Sequence, residues 1–365
     1  MRAAYVAVET ATDKTARAFV NRYERLEMIA EWLRKVEEKS DLSAEEAEAV
    51  MDELLEGRLA QEQIVTLLIS LREKGEAVAE LVGFARAMRR RANHGGAQAQ
   101  ISPLVDTCGT GGDGGGTFNV STAAALVVAG AGVRVAKHGN RSFSSRCGSA
   151  DVLETLGVNI DLNPQRALAA IEEIGIGFLF APTMHTAMRH AAAARREAGG
   201  RTVFNLLGPL TNPAGATAQV IGVPAAALVE KLGHALAELG AQHAFVVHGV
   251  DGIDEISLSD ETEVAEVRPR FVKRYRVKPQ DFGVGGARRE ELTGGDATTN
   301  AKIIRDILDG ELGPRRDFVC INAAAALVAA GRAADFRKGT LLASKAIDSG
   351  LARAKLEALI EFSRS

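Results

Sequence analysis

The chain runs to 365 residues, 46% hydrophobic and 25% charged, a globular composition with material for about two domains. Net charge is −3 and aromatics make up only 5%, which argues against a nucleic-acid binder, commonly basic with stacking aromatics. No apolar run reaches the ~18 charge-free residues of a membrane span, and no signal-peptide core opens the N-terminus. Cys108, Cys147 and Cys320 are scattered without C-x-x-C spacing, so the chain reads as soluble and cytoplasmic, with neither disulfides nor a zinc site.

Residues 1–27 are weakly patterned. They read as an extension, either a disordered tail or residues upstream of a natural start, with no function assigned. From Met28 to about Arg91 the apolar spacing is helical. Ile29, Trp32, Leu33 and Val36 mark one face. Ser43 with Glu46 forms a capping box ahead of Ala47, Val50, Met51, Leu54 and Leu55. Ile64, Leu67, Leu68 and Leu71 mark a third face; Leu81, Val82, Ala85 and Met88 mark a fourth. Four helices define a small α domain over 28–92, ending in a cationic run, Arg89–Arg91, that suits a helix C-terminus.

Residues 92–102 have a linker composition. From 103 to 365 apolar strands alternate with helices, which predicts an α/β domain with a mostly parallel central sheet flanked by helices. The strands are expected at 103–108, 133–137, 177–181, 219–223 and 244–248, with helices at Val152–Leu156, Pro164–Ile174 and Ala225–Leu239. Residues 264–268 and 271–277 read as a hairpin that adds an antiparallel part. NLLGPLTNP (205–213) reads as a rigid loop, and Ala-rich helices over 318–330 and 341–362 close the chain.

The most informative segment is DTCGTGGDGGGTFNVST (106–122), followed by KHGNR (137–141). Six of the eight residues 109–116 are glycine, so backbone N–H groups can close on an anion without Cβ atoms in the way. The helix start after it adds partial positive charge. KHGNR ends the next strand, where ligands sit in open α/β sheets, and is expected to bring a lysine, a histidine, an asparagine and an arginine to the same crevice. Gly109, Gly111 and Gly114 fit G-x-G-x-x-G, but Lys137 stands where a dinucleotide fold needs an acid for the ribose, and the P-loop pattern is absent. Asp113, Asn119, Ser121 and Thr122 add polar groups that a plain turn would not need. The inference is a phosphate-rich ligand. Asp254–Glu255, in HGVDGIDE, are either a solvated acidic turn or oxygen ligands for a hard cation such as Mg²⁺. His185 and His190 are five apart, not a helical zinc pair; His94, His234, His243 and His248 receive no role.

Together with GSADVLETLGV (148–158), GFLFAP (177–182), RTVFNLLGPLTNP (201–213), VVHGVDGIDEISL (246–258) and GGDATTNAKIIRDIL (294–308), these motifs resemble the anthranilate phosphoribosyltransferases from about Met28 to the C-terminus. Thr183, Met188 and Cys147 are departures, and none removes a charged role. The resemblance implies a small α domain with helices around 183–200 packed on it, a larger domain of the nucleoside-phosphorylase-like type, a site in the cleft between them, and a homodimer. It implies transfer of phosphoribosyl from phosphoribosyl pyrophosphate (PRPP) to anthranilate with Mg²⁺.

The PRPP set is then Gly109, Gly111, Gly112, Asp113, Thr117, Asn119, Ser121, Thr122, Lys137, His138, Gly139, Asn140 and Cys147, with Asp113 orienting the loop. Anthranilate would meet Gly109, Asn140, His138, His185 and Arg195, whose planar guanidinium suits its carboxylate. Ser121, Asp254 and Glu255 would hold the metal. No residue is assigned as an acid or base; Lys137, Asn140 and Arg195 act by charge and positioning, because the aromatic amine is already unprotonated at neutral pH. An anthranilate synthase glutamine amidotransferase subunit is left open as a partner.

Two alternatives compete with this reading. A pyrimidine nucleoside phosphorylase would have no use for Asp254–Glu255. A nucleic-acid-binding relative would show a basic balance and loss of NVST or the acidic pair, and neither is seen.

Overall fold

The computed structural model describes residues 14–94, 103–112, 116–142 and 146–365, with Asp113 outside them. The chain divides into two units, the first running to Phe84 and taking in Arg189–Val203, the second holding Ala85–Met188 and Phe204–Ser365. Among the described residues no helix is long and apolar enough to cross a membrane.

The first unit is helical: Lys14–Glu37, Ala44–Leu55, Gln61–Lys74 and the start of Val78–Arg91. The first helix begins well upstream of Met28, so residues 14–27 are part of it and not an extension outside the elements. That stretch has neither Gly nor Pro, and Ala16, Phe19, Val20, Tyr23 and Leu26 stand at helical spacing, so the helical pattern continues upstream of Met28. The Ser43 capping box forms, with Glu46 N donating to Ser43 Oγ (3.1 Å) and Ser43 N to Glu46 Oε2 (2.8 Å). The fully buried Glu80 is satisfied by Leu42 N (3.0 Å), Ala77 N (2.8 Å) and Lys74 Nζ (2.8 Å), as a buried charge must be. The short helix Ala192–Ala198 lies on Gln61–Lys74, where Arg72 donates to the Ala198 (3.1 Å) and Gly199 (2.5 Å) carbonyls.

The second unit is built on a seven-stranded sheet: β1 Leu104–Gly109, β2 Arg134–Gly139, β3 Ile176–Phe180, β4 Ala218–Gly222, β5 His243–Gly249, β6 Thr262–Arg268 and β7 Phe271–Val277. The order is β3-β2-β1-β4-β5-β6-β7; the first five are parallel and the hairpin β6–β7 is antiparallel. Residues of β3, β4 and β5 are buried throughout, which is why they read as largely apolar runs. The helices Val120–Gly130 and Pro314–Ala329 are buried almost all round, and their alanines let neighbouring backbones approach. β1 and β4 pair Gly109 with Gly222, and β2 and β3 pair Gly139 with Phe180, so the glycine motif and KHGN end at one edge of the sheet.

Two local expectations change. NLLGPLTNP is largely helical, within Val203–Leu210, because Pro209 falls in the last turn and ends the helix instead of preventing it. The expected helix over 341–362 is two, Phe336–Asp348 and Leu351–Arg364, interrupted at Ser349–Gly350. The GGDATTN motif itself opens a helix, Ala297–Leu308, capped by Asp296 accepting from Thr299 N (2.8 Å).

Candidate active site

The glycine motif is bare for two different reasons. Gly111 and Gly112 have φ of 67° and 93°, a left-handed conformation that other residues adopt at a cost. Gly109 and Gly222 instead make room for Asp254: a Cβ on Gly109 would strike the Asp254 carboxylate, and one on Gly222 would overlap the Asp254 carbonyl. The carboxylate then accepts from Gly111 N (2.9 Å), and Thr110 N donates to Gly222 O (2.9 Å). Asp254 and Glu255 are each 9% exposed, so they do not form the solvated acidic turn that the sequence alone allows. Among the described residues no three His, Cys, Asp or Glu side chains gather into a self-sufficient metal cage. Two carboxylates beside a glycine loop suit a hard cation that completes its shell with oxygens from elsewhere, and do not suit zinc.

Lys137 is 3% exposed and its ammonium donates to Thr107 O (2.7 Å) and to Ser121 Oγ (3.4 Å). Burial lowers its pKa, while the Asp106, Cys108 and Glu255 charges oppose that. Two hydrogen bonds thus fix the lysine nitrogen against the start of the Val120–Gly130 helix. Its counter-charge, Asp106, is fully buried: Oδ1 accepts from His138 N (3.2 Å) and Oδ2 from Asn212 Nδ2 (2.8 Å). Asn212 also donates to Ala136 O (2.8 Å) and accepts from Ala214 N (3.0 Å), which ties the TNP turn to β2. Burial pushes Asp106 up to about 6 against the pull of Lys137, Asn212 and the His138 amide.

The NVST segment is held by a relay of amides. Asn119 Nδ2 donates to Cys147 O (3.0 Å), Asn300 Nδ2 donates to Asn119 Oδ1 (3.0 Å), and Asn300 Oδ1 accepts from Gly295 N (2.7 Å). Thr117 bridges Thr293, and Gly294 N donates to Gly116 O (3.1 Å), so the GGDATTN motif clasps the far side of the glycine loop. Cys147 is buried and its thiol is pushed up to about 11 by that burial, so it remains a neutral packing group. Asn140 is exposed, its carbonyl accepting from Ala150 N (3.2 Å). Arg141 does not join the cations of the crevice: it pairs with Glu154 (2.8 and 3.1 Å) and Asp151 (3.0 Å) beside the helix Ser149–Leu156. Arg195 lies on Ala192–Ala198 in the first unit, with burial lowering its pKa.

His138 and His185 face one another, ring centroids 5.2 Å apart, and His138 Nδ1 lies 3.1 Å from Gly208 O. Each keeps a buried Nε2 without a protein partner, which a satisfied core histidine would not. Burial depresses His138 to about 4, with Lys137 adding to it, and His185 to about 3, with His138 and His94 adding to it. A depressed imidazole contributes stability that is present above 6.5 and lost as the pH falls toward its folded value. Asp106, raised to about 6, works oppositely and loses its contribution as pH rises from 3.8 through that value. Two histidines outweigh one aspartate, each imidazole adding up to about 1.4 kcal/mol per pH unit. Urea midpoints measured between about pH 7 and 5 should therefore fall more steeply for this chain than for His138→Gln/His185→Gln. Parallel lines for the two proteins would contradict the neutral buried pair.

Asp106, Asn212 and Asn300 carry no role in the sequence reading, although all sit in quoted motifs. A short polar residue inside an apolar strand or helix is the signal available for Asp106 and Asn300.

Two families match the chain: a glycosyl transferase family, a/b domain, over residues 101–353, and a glycosyl transferase family, helical bundle domain, over residues 30–92. Fold and site thus define a glycosyltransferase with a helical unit and an α/β unit. The chain is 54% identical over 340 residues to the anthranilate phosphoribosyltransferase of Solibacter usitatus (strain Ellin6076), covering 93% of this chain and 100% of that protein. It is 53% identical over 339 residues to that of Desulfosudis oleivorans, covering 93% and 99%. The solved Thermus thermophilus enzyme superposes with a TM-score of 0.86 at 45% identity, covering 92% and 99%. The Saccharomyces cerevisiae enzyme, solved in complex with PRPP and Mg, gives 0.81 at 25% identity, covering 92% and 98%. The chain belongs to the anthranilate phosphoribosyltransferase family.

Proposed function

We propose that this chain transfers the 5-phosphoribosyl group of PRPP to the amine of anthranilate, giving N-(5-phosphoribosyl)anthranilate and pyrophosphate, a step of tryptophan biosynthesis that uses Mg²⁺. The observation that supports the reading is the Asp254 carboxylate closing on Gly111 N (2.9 Å), which brings a carboxylate to the glycine loop. The amine nitrogen forms a bond to C1 of the ribose while the C1–O bond to pyrophosphate breaks, and the nitrogen then releases its proton. The sugar passes through an oxocarbenium-like state, so catalysis is chiefly the placement of charge.

Gly109, Gly111, Gly112, Thr117, Asn119, Ser121 and Thr122 bind the phosphates, with Lys137 supplying positive potential behind them; Gly139 and Cys147 pack beside that set, and Asp113 orients the loop. Asp254, Glu255 and Ser121 would hold Mg²⁺, which when bound neutralises the leaving pyrophosphate. Asn140 holds the edge of anthranilate, Gly109, His138 and His185 line its path as neutral groups, and Arg195 takes its carboxylate. Family membership supports a homodimer. The free thiols Cys108, Cys147 and Cys320 support a cytoplasmic location. An anthranilate synthase glutamine amidotransferase subunit is a further partner, supported only by anthranilate being common to both reactions.

The test is incubation with anthranilate, PRPP and Mg²⁺, following the loss of anthranilate fluorescence. Turnover is expected, and folded protein that leaves the fluorescence unchanged would refute the assignment. In the same assay Arg195→Ala should raise the KM for anthranilate by about tenfold or more while barely moving that for PRPP, the loss of one charge-assisted pair. Equal effects on both substrates would remove Arg195 from the carboxylate site.

A further inference from the structure

Asp254 and Glu255 lie on irregular backbone after β5, where no neighbouring strand supplies a ladder. Such a segment needs other partners for its buried peptide groups. At Ile256, itself buried, both groups are taken by one side chain. Ile256 N donates to Asn322 Oδ1 (3.0 Å) and Asn322 Nδ2 donates to Ile256 O (3.1 Å), the two-bond pattern of a neighbouring strand. Asn322 is 2% exposed in the centre of Pro314–Ala329, and its amide is braced by a second donation to Phe318 O (3.0 Å) one turn back. On the other side, the bare surface of Gly222 receives the Asp254 backbone. The acidic pair is thus gripped between a glycine that allows its approach and an asparagine that fixes the peptide after it.

We infer that Asn322 is a positioning residue for the metal site, holding the Glu255–Ile256 peptide so that the Asp254 and Glu255 carboxylates stay set for a divalent cation. It touches neither cation nor substrate. The inference rests on the reading of Asp254 and Glu255 as metal ligands. An aspartate at 322 would lose the donor to Ile256 O, and an apolar residue would lose both bonds and leave two buried peptide groups unpaired. Among the described residues no other side chain bonds to the Ile256 peptide groups.

The experiment is isothermal titration of Mg²⁺ into the PRPP-saturated protein, with Asn322→Ala and the bulkier Asn322→Leu, each checked for a cooperative urea transition. Mg²⁺ affinity is expected to fall by about tenfold or more, the range for losing a group that orients metal ligands. Turnover should recover at saturating Mg²⁺, with the anthranilate KM unchanged; a purely structural lesion would not be rescued by the metal. Unchanged affinity in a folded variant overturns the inference.

Asp254→Asn/Glu255→Gln, titrated alongside, tests the underlying reading. If that variant binds Mg²⁺ like the parent, the metal site itself is misplaced, whatever Asn322 does. Amide exchange in the unaltered protein gives a further arm that needs no substitution. The Ile256 N–H should be among the slowly exchanging amides although it lies outside any strand, and rapid exchange would overturn the clamp.

Discussion

Replacing Asp254 with Ala and Glu255 with Gln together should lower kcat by roughly 10² or more and flatten the response to Mg²⁺, the scale of losing charge stabilisation at a leaving group. The two residues do different work, so the single variants should separate. Glu255→Gln keeps the shape of the turn and removes one charge, so its defect belongs to turnover and metal response. Asp254→Ala also frees Gly111 N from its 2.9 Å acceptor, so the KM for PRPP should rise as well. Steady-state kinetics over a range of Mg²⁺ concentrations checks both. A double variant with an undiminished Mg²⁺ response would remove the pair from the metal site.

The second large effect is steric. Gly222→Ala places a methyl group on the Asp254 carbonyl, and the obstructing atoms are backbone, so no rotamer change relieves the overlap. Gly222 is also paired on both sides, with Gly109 of β1 and Val247 of β5, so β4 cannot retreat without breaking register. The turn must move instead, and overpacking of this kind costs about 3 kcal/mol or more. The urea midpoint should drop accordingly and the Mg²⁺ response weaken with it. Gly285→Ala is the control: it is exposed, has no left-handed φ, and nothing beyond its chain neighbours lies within 4 Å of a Cβ there, so the change should stay within about 0.5 kcal/mol. Similar behaviour of the two variants would contradict the close approach of Asp254 to β4.

These effects also mark how far the sequence can be read. The strand Leu104–Gly109 and the four others of the parallel part are legible to within one or two residues, because strands covered on both faces show short, largely apolar runs. The helical stretch 14–27 is missed although Phe19, Val20, Tyr23 and Leu26 stand at helical spacing, because charged residues interrupt it, and the helix Val203–Leu210 is hidden by the Gly208–Pro209 pair near its end. The glycine loop reads as an anion site in the sequence, but the bareness of Gly109 makes room for Asp254, a partner the motif does not reveal. The bond from Gly111 to Asp254 joins positions 143 residues apart, and the Asp106–Asn212 and Asn300–Asn119 pairs join positions 106 and 181 apart. Apolar periodicity encodes which face is buried and says nothing about such distant polar partners. A motif can therefore identify the ligand while leaving open which residues hold the motif itself in shape.

The central claim, a phosphate loop made competent by carboxylates that carry magnesium, is tested most directly by calorimetric titration of PRPP with and without Mg²⁺. Uptake should strengthen markedly when the metal is present, and Asp254→Asn/Glu255→Gln should abolish that gain. Equal uptake in both conditions, or no uptake in either, would contradict it.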